Sequence, residues 1–320
     1  MNLLSDIVKT RADRIDALQR GFTFAGEERE IANLILQTRD EALTELKLRL
    51  DYGPGHHDLL ELLYHDIDDV GVREEIIEHI RTHSPAIPSE RRRVRMISDI
   101  DDTLYASLND PTYVHGTLYP GITTFHEEVG RLAFSRRSDV VDLILLTARP
   151  RDVLGLIESY TKRNLTQRGL SSTVVLSGSL AALRSHHAMA VKKLQNFELY
   201  QALYPEFDFI FVGDSGQGDV SLGTMLLEKF PDRVREVLIH NLDGGNMTNK
   251  GIFAFQTYLG AILTLKEQGL ADQQACLRVA EAVKRDLAKA NFRSPRQKER
   301  ALAAYLLDAE NLVNPLEVVA

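Results

Sequence analysis

The chain has 320 residues, with 46 acidic against 38 basic side chains and a formal net charge of −8. That balance argues against nucleic acid as the main partner, because a phosphate backbone calls for a net basic face. A hydrophobic share of 44% suffices for a proper core, and the length suits one large domain or two ordinary ones.

The amino terminus, MNLLSDIVKTRADR, has neither a long apolar core nor a small-residue cleavage site, so no signal peptide is expected. No apolar run approaches the roughly 18 residues of a membrane span. We therefore expect a cytoplasmic protein whose membrane contact, if it has one, is peripheral. Residues 1–90 read as a helical region: Leu3, Leu4, Ile7 and Val8, then Ile31, Leu34 and Ile35, recur at helical spacing. Gly53-Pro54-Gly55 breaks the pattern, and a further helical stretch covers Asp58–His83. Pro85, Pro88 and Arg91-Arg92-Arg93 make a linker, read as a solvated connector with a docking patch for anionic lipid or phosphate as the alternative. Asp66-Ile67-Asp68-Asp69 is a decoy for the second DIDD run, at 99–102. At helical spacing Asp66 and Asp68 would point about 200° apart, so they suit a helix end rather than an ion site.

From Val94 the pattern alternates, with strands predicted near 94–100, 141–147, 173–177, 208–213 and 236–240 and helices near 121–134, 151–168, 187–203 and 220–230. Alternation of this kind implies a mostly parallel, doubly wound α/β sheet over 91–245. The tail, 246–320, reads as helices near 251–268, 271–290 and 294–312, broken at Gly269 and Ser294-Pro295 and packing on the catalytic domain. The single cysteine, Cys276, excludes an internal disulfide and reads as buried filler.

The chemistry gathers at strand ends. VRMISDIDDT (94–103) closes an apolar run with Asp99, Asp101 and Thr103. Residues two apart in a strand point the same way, so both carboxylates would project from the carboxyl end, where open α/β sheets do their work. ILLT (144–147) ends in Thr147, and FIFV (209–212) runs into Gly213-Asp214-Ser215-Gly216, with Asp219 shortly after. Between them a predicted helix carries Lys192 and Lys193. Carboxylate pair, hydroxyl, lysine and carboxylate form an inventory for moving a phosphoryl group, which needs a nucleophile in line and neutralised oxygen charge.

In that order the residues resemble the haloacid dehalogenase-like phosphatases, whose first motif is DxDxT. The closer resemblance is to the phosphatidate phosphatase catalytic domain of the actin-patch-associated type and its bacterial relatives. It is carried by Asp99-Ile100-Asp101-Asp102-Thr103, Leu146-Thr147-Ala148-Arg149-Pro150, Val175-Leu176-Ser177-Gly178 and Gly213-Asp214-Ser215-Gly216-Gln217, followed by Asp219. The resemblance implies Asp99 as nucleophile, Asp101 as acid and then base, and Thr147 and Lys193 as phosphoryl-oxygen ligands, with Lys192 in reserve for the lysine. It further implies magnesium held by Asp99, the backbone carbonyl of Asp101 and Asp214, with Asp219 supporting from a second layer and Thr103 completing the motif. Asp102 reads as a turn residue, turned away from Asp101. Two departures stand out: Gly218 where relatives continue with aspartate and proline, and Ile239-His240-Asn241 in place of an arginine–aspartate pair.

The stretch 104–140 is too short for a large folded cap, so an open site is expected, suited to large or membrane-borne substrates; the rival is a lid formed by residues 1–90. The leading expectation is a magnesium-dependent phosphomonoester hydrolase, with phosphatidate favoured by the resemblance. The alternatives are a phosphatase for a soluble metabolite or phosphoprotein, and a non-catalytic helical scaffold.

Overall fold

The structure, a computed structural model, describes residues 3–19, 23–52, 58–133, 143–150, 174–178, 185–216, 218–245, 247 and 249–313. Among them run six strands, β1 (Arg93–Ser98), β2 (Leu143–Pro150), β3 (Val174–Gly178), β4 (Phe207–Asp214), β5 (Val234–His240) and β6 (Ile252–Phe255). They form one sheet in the order β3-β2-β1-β4-β5-β6. Pairing is parallel, with Ser98 opposite Leu145 and Asp214 opposite His240. β4 is buried at every position, as a parallel strand covered on both faces must be. The order reverses between β1 and β4, where the Asp99 N–H donates to the Val212 carbonyl at 2.9 Å. In doubly wound sheets this reversal is where the crevice for ligands opens.

The described helices are α1 (Leu3–Leu18), α2 (Ala25–Leu36), α3 (Asp40–Tyr52), α4 (Leu59–Glu61), α5 (Val70–His83), α6 (Ile122–Ala133), α7 (His186–Leu203), α8 (Asp219–Lys229), α9 (Tyr258–Glu267), α10 (Gln273–Leu287) and α11 (Pro295–Val313). The fold is thus the expected α/β class, with helices before and after the sheet. The helix expected over 151–168 lies outside the described residues. No described helix is long and apolar enough to cross a membrane.

The chain divides into two compact units, Met1–Arg92 with Asn196–Phe207, and Arg93–Gln195 with Asp208–Ala320. The first buries Ile15, Ile31, Leu43, Leu46, Leu62 and Ile76 between its helices. It also buries a satisfied polar knot. Lys47 Nζ donates to Glu206 Oε2 (2.9 Å) and the Leu203 carbonyl (2.8 Å), Thr44 Oγ1 donates to Glu206 Oε1 (2.6 Å), and Asp51 Oδ2 accepts from Tyr200 (2.8 Å) and Tyr204 (2.6 Å). The decoy aspartates end helices as expected: Asp66 closes a π turn after α4, and Asp69 caps α5 by accepting the Gly71 and Val72 N–H groups.

In the second unit α6 enters the core through Ile122, Phe125 and Val129, at spacings of three and four. Cys276 is buried there, as expected. One element departs from the sequence reading. Apolar spacing predicts a single helix over 251–268, yet Ile252–Phe255 form β6 and the helix starts only at Tyr258. The exposed edge of β5 needs partners for its backbone groups, and Ile252–Phe255 supply them in parallel register from Val237 to His240. Thr257 then caps α9 by accepting the Gly260 N–H at 3.2 Å.

Candidate active site

β1 ends at Ser98, so Asp99 and Asp101 lie in the turn just beyond it, 5% and 7% exposed. Asp102 holds that turn. Its backbone sits at φ +57°, a left-handed conformation that costs a non-glycine residue about 1–2 kcal/mol. Its carboxylate offsets the cost by accepting the N–H groups of Ser107 (2.7 Å), Leu108 (3.1 Å) and Asn109 (2.7 Å). The turn is also gripped from behind. His240 Nδ1 lies 3.0 Å from the Asp102 carbonyl; a carbonyl only accepts, so Nδ1 carries the proton. The Tyr258 hydroxyl donates to the Thr103 carbonyl at 2.5 Å. The departure at Ile239-His240-Asn241 therefore has a job: its histidine anchors the aspartate turn.

Along α7 the buried positions Ala190, Lys193, Phe197 and Tyr200 follow helical spacing, which puts a lysine on an otherwise apolar stripe. Lys193 Nζ donates to Asp99 Oδ1 and to Asp219 Oδ1, each at 2.6 Å. Lys192 is off this stripe and only half-buried. Asp214 ends β4, and Asp219 opens α8. Gly213 lets these two meet, since a Cβ there would fall 2.6 Å from Asp219 Oδ2. Asp219 Oδ2 in turn accepts the Asp214 N–H at 3.3 Å, and Asp214 Oδ1 accepts the Gly216 N–H at 2.5 Å. The departure at Gly218 is explained as well. It precedes α8 at φ +89°, and a side chain there would meet the His186 carbonyl at 2.6 Å.

Asp99, Asp214 and Asp219 thus offer carboxylate oxygens all within 4.8 Å of one another, a group able to hold a metal ion. Three buried carboxylates face one ammonium, and the imbalance marks their acidities. Burial pushes Asp99 up to about 7; Lys193 pulls the other way, while Asp219 and Asp101 add repulsion. Asp214 is raised well above the usual carboxylate range by burial and by the charges of Asp219 and Asp99. Burial alone would lower the Lys193 ammonium, but Asp219 and Asp99 hold it above its ordinary value. Asp99 Oδ2, Asp214 Oδ2 and the Thr103 hydroxyl are buried without any hydrogen-bond partner. Buried acceptors are ordinarily satisfied, so two orphaned carboxylate oxygens facing a surplus of negative charge fit a divalent cation.

Thr147 is buried at the carboxyl end of β2, two residues past the Ser98–Leu145 pair. Asp101 stands outside the metal-capable triad, and its Oδ1 accepts from the Ser107 hydroxyl at 2.8 Å. Gln217 lies outside the described residues. Three neighbours escaped the sequence reading, namely Ser107, Tyr258 and the anchoring role of His240. Tyr258 had a signal in the Thr257 before it, readable as a helix cap, and His240 had one in its departure from the family pattern.

Converging aspartates and a buried lysine thus sit at the strand-order reversal, where doubly wound sheets bind ligands. Residues 94–241 match the family described as "Phosphatidate phosphatase APP1, catalytic domain", so this part of the chain is similar to a phosphatase family. No curated protein matches the chain. A crystal structure of FtsY from Mycoplasma mycoides aligns at 9% identity over 87% of this chain and 96% of its own, with a TM-score of 0.19, and bears on neither fold nor function.

Proposed function

We propose that the chain is a magnesium-dependent phosphatidate phosphatase working through an aspartyl-phosphate on Asp99. The observation that carries this reading is the pair of buried, partnerless oxygens, Asp99 Oδ2 and Asp214 Oδ2, beside Lys193. The family match supports phosphatidate as the substrate.

In the first step an Asp99 carboxylate oxygen forms a bond to phosphorus while the bond to the glycerol oxygen breaks. Asp101 gives its proton to that leaving oxygen, which departs as diacylglycerol. Asp101 then takes a proton from water, whose oxygen attacks the same phosphorus. Phosphate leaves and the Asp99 carboxylate is restored. Lys193 has three N–H donors. Two hold Asp99 and Asp219, and the third serves a phosphoryl oxygen together with Thr147. Thr103 supports the aspartate turn through its backbone carbonyl, which accepts from Tyr258. Asp99, Asp214 and the Asp101 backbone carbonyl would hold the magnesium ion, with Asp219 bracing Asp214 from behind. The ion supplies positive charge that keeps Asp99 ionised and steadies the phosphoryl oxygens.

Asp99→Asn tests the mechanism. Phosphate release from phosphatidate in mixed micelles is expected to fall by about a thousandfold or more, with an unchanged circular dichroism spectrum. Chelation should silence the native chain, and added magnesium should restore it. Turnover that survives Asp99→Asn removes the mechanism. Phosphate release from soluble phosphoesters alone removes the lipid assignment.

A further inference from the structure

Past the catalytic strands the chain reverses its charge. Between Lys284 and Val313 it carries seven basic residues against four acidic ones, Asp286, Glu299, Asp308 and Glu310, in a protein of net charge −8. Lys284 and Arg285 lie in the last turn of α10, and Lys289 comes just after it. Arg293, Arg296, Lys298 and Arg300 lead into α11 and form its first turns, and all seven are exposed. Arg293 and Arg300 donate to the Tyr113 and Asp243 carbonyls, which orients them and leaves their charge uncompensated. The later turns of α11 expose Leu302, Leu306 and Val313 by 37%, 58% and 76%. Spacings of four and eleven residues set these three along one line of the helix, while Ala301 and Leu312 turn into the core.

The segment's place is equally telling. Arg293 N–H donates to the Thr112 carbonyl (3.0 Å) and Asn291 accepts from Val114 N–H (2.9 Å), in the loop after β1. Arg300 reaches the loop after β5, and Asp308 accepts from Thr257 Oγ1 (2.5 Å) just after β6. Residues 291–308 therefore border the carboxyl edge of the sheet, which also bears Asp99 and Asp214.

We propose that residues 284–313 form the face by which this chain rests on an anionic bilayer. The basic residues meet charged headgroups, and Leu302, Leu306 and Val313 enter the boundary with the acyl chains. The choice of a bilayer as occupant comes from the sign of the charge and rests on the phosphatidate reading, whose substrate is itself an anionic lipid. Docked in this way, the segment would present the open ends of the strands to the lipid surface.

The test is co-sedimentation of the full chain with vesicles of phosphatidylcholine, with or without phosphatidylserine, whose phosphate is a diester and no substrate. The chain is expected on the mixed vesicles only, and less so as salt rises. Lys289→Gln, Arg296→Gln and Lys298→Gln together should weaken partitioning about a hundredfold, at about fivefold for each charge. Leu302→Ser with Leu306→Ser should weaken it by about tenfold or more. Both variants should hydrolyse a short-chain, monomeric phosphatidate as the native chain does. Absence of native binding, or variants that bind like the native chain, would overturn the proposal. So would a concentration-dependent homodimer that the leucine variant abolishes, because the stripe would then be a self-association seam. Vesicle binding without hydrolysis of monomeric phosphatidate would instead remove the phosphatase reading and leave the surface standing.

Discussion

Replacing Lys193 with methionine keeps most of the side chain's bulk and removes the ammonium that bridges Asp99 and Asp219. The Lys193 side chain is 3% exposed, and the side chains of its two carboxylate partners are 6% and 0% exposed. Taking one partner from a buried charge cluster costs about 3–5 kcal/mol when the rest stay charged. The cost should depend on pH, because Asp99 already sits at about 7 against an ordinary 3.8. A carboxyl whose folded value lies above its unfolded one binds more protons when folded. Stability is therefore lost as pH rises from the unfolded value through the folded one. Without Lys193 the folded value climbs further and the loss deepens on the alkaline side. The deficit of Lys193→Met should be about 1 kcal/mol or less near pH 5 and reach about 3–5 kcal/mol near pH 9. The measurement is urea unfolding in chelator, tracked by circular dichroism because the chain has no tryptophan. Equal deficits at the two pH values, or less than about 1 kcal/mol at both, would refute the electrostatic account of the site.

Other outcomes rest on the same geometry. Asp102→Ala strands three N–H groups and should cost about 2–4 kcal/mol; the loss shows in urea midpoints, and Asp102→Asn should recover part of it. Tyr258→Phe removes the bond to the Thr103 carbonyl and should lower kcat about tenfold with KM little changed. A change in KM alone would mean that Tyr258 acts on substrate instead. His126 is fully buried with neither ring nitrogen hydrogen-bonded, and burial depresses it to about 3. It folds neutral, so the unfolded chain binds more protons between about pH 3 and 6.5, and stability rises with pH across that window. His126→Leu should stabilise the chain by about 1–3 kcal/mol and flatten that acid limb. A thermal melt series from pH 4 to 7 with unchanged slope would exclude this.

The strands that carry the aspartates were legible because parallel strands covered on both faces leave continuous apolar runs, as Phe209–Val212 does. Lys193 could be preferred to Lys192 from its distance to Gly213 and the following Leu194, and the buried stripe through Ala190 and Phe197 agrees. β6 was not legible. Its apolar residues blend into the helical spacing of Tyr258–Leu265, with no glycine or proline to divide them, and only the pairing demand of β5 decides the matter. Nor could Ser107 be found: its bond to Asp101 depends on how the 104–110 loop folds back onto the Asp102 carboxylate, a long-range fact that no local pattern records. His240 lay in plain sight as a departure from the family pattern, and its use became clear only with the Asp102 carbonyl beside it.

The polar knot of Lys47, Asp51, Tyr200, Tyr204 and Glu206 has a consequence for biogenesis. The helical unit is discontinuous in the chain, and its last twelve residues, Asn196–Phe207, are synthesised only after three strands of the other unit. A ribosome that has finished residue 92 needs on the order of ten seconds more to reach Phe207. Until then Lys47 lacks Glu206 and the Leu203 carbonyl, and Asp51 lacks the hydroxyls of Tyr200 and Tyr204. The first segment translated is therefore among the last to reach its final form.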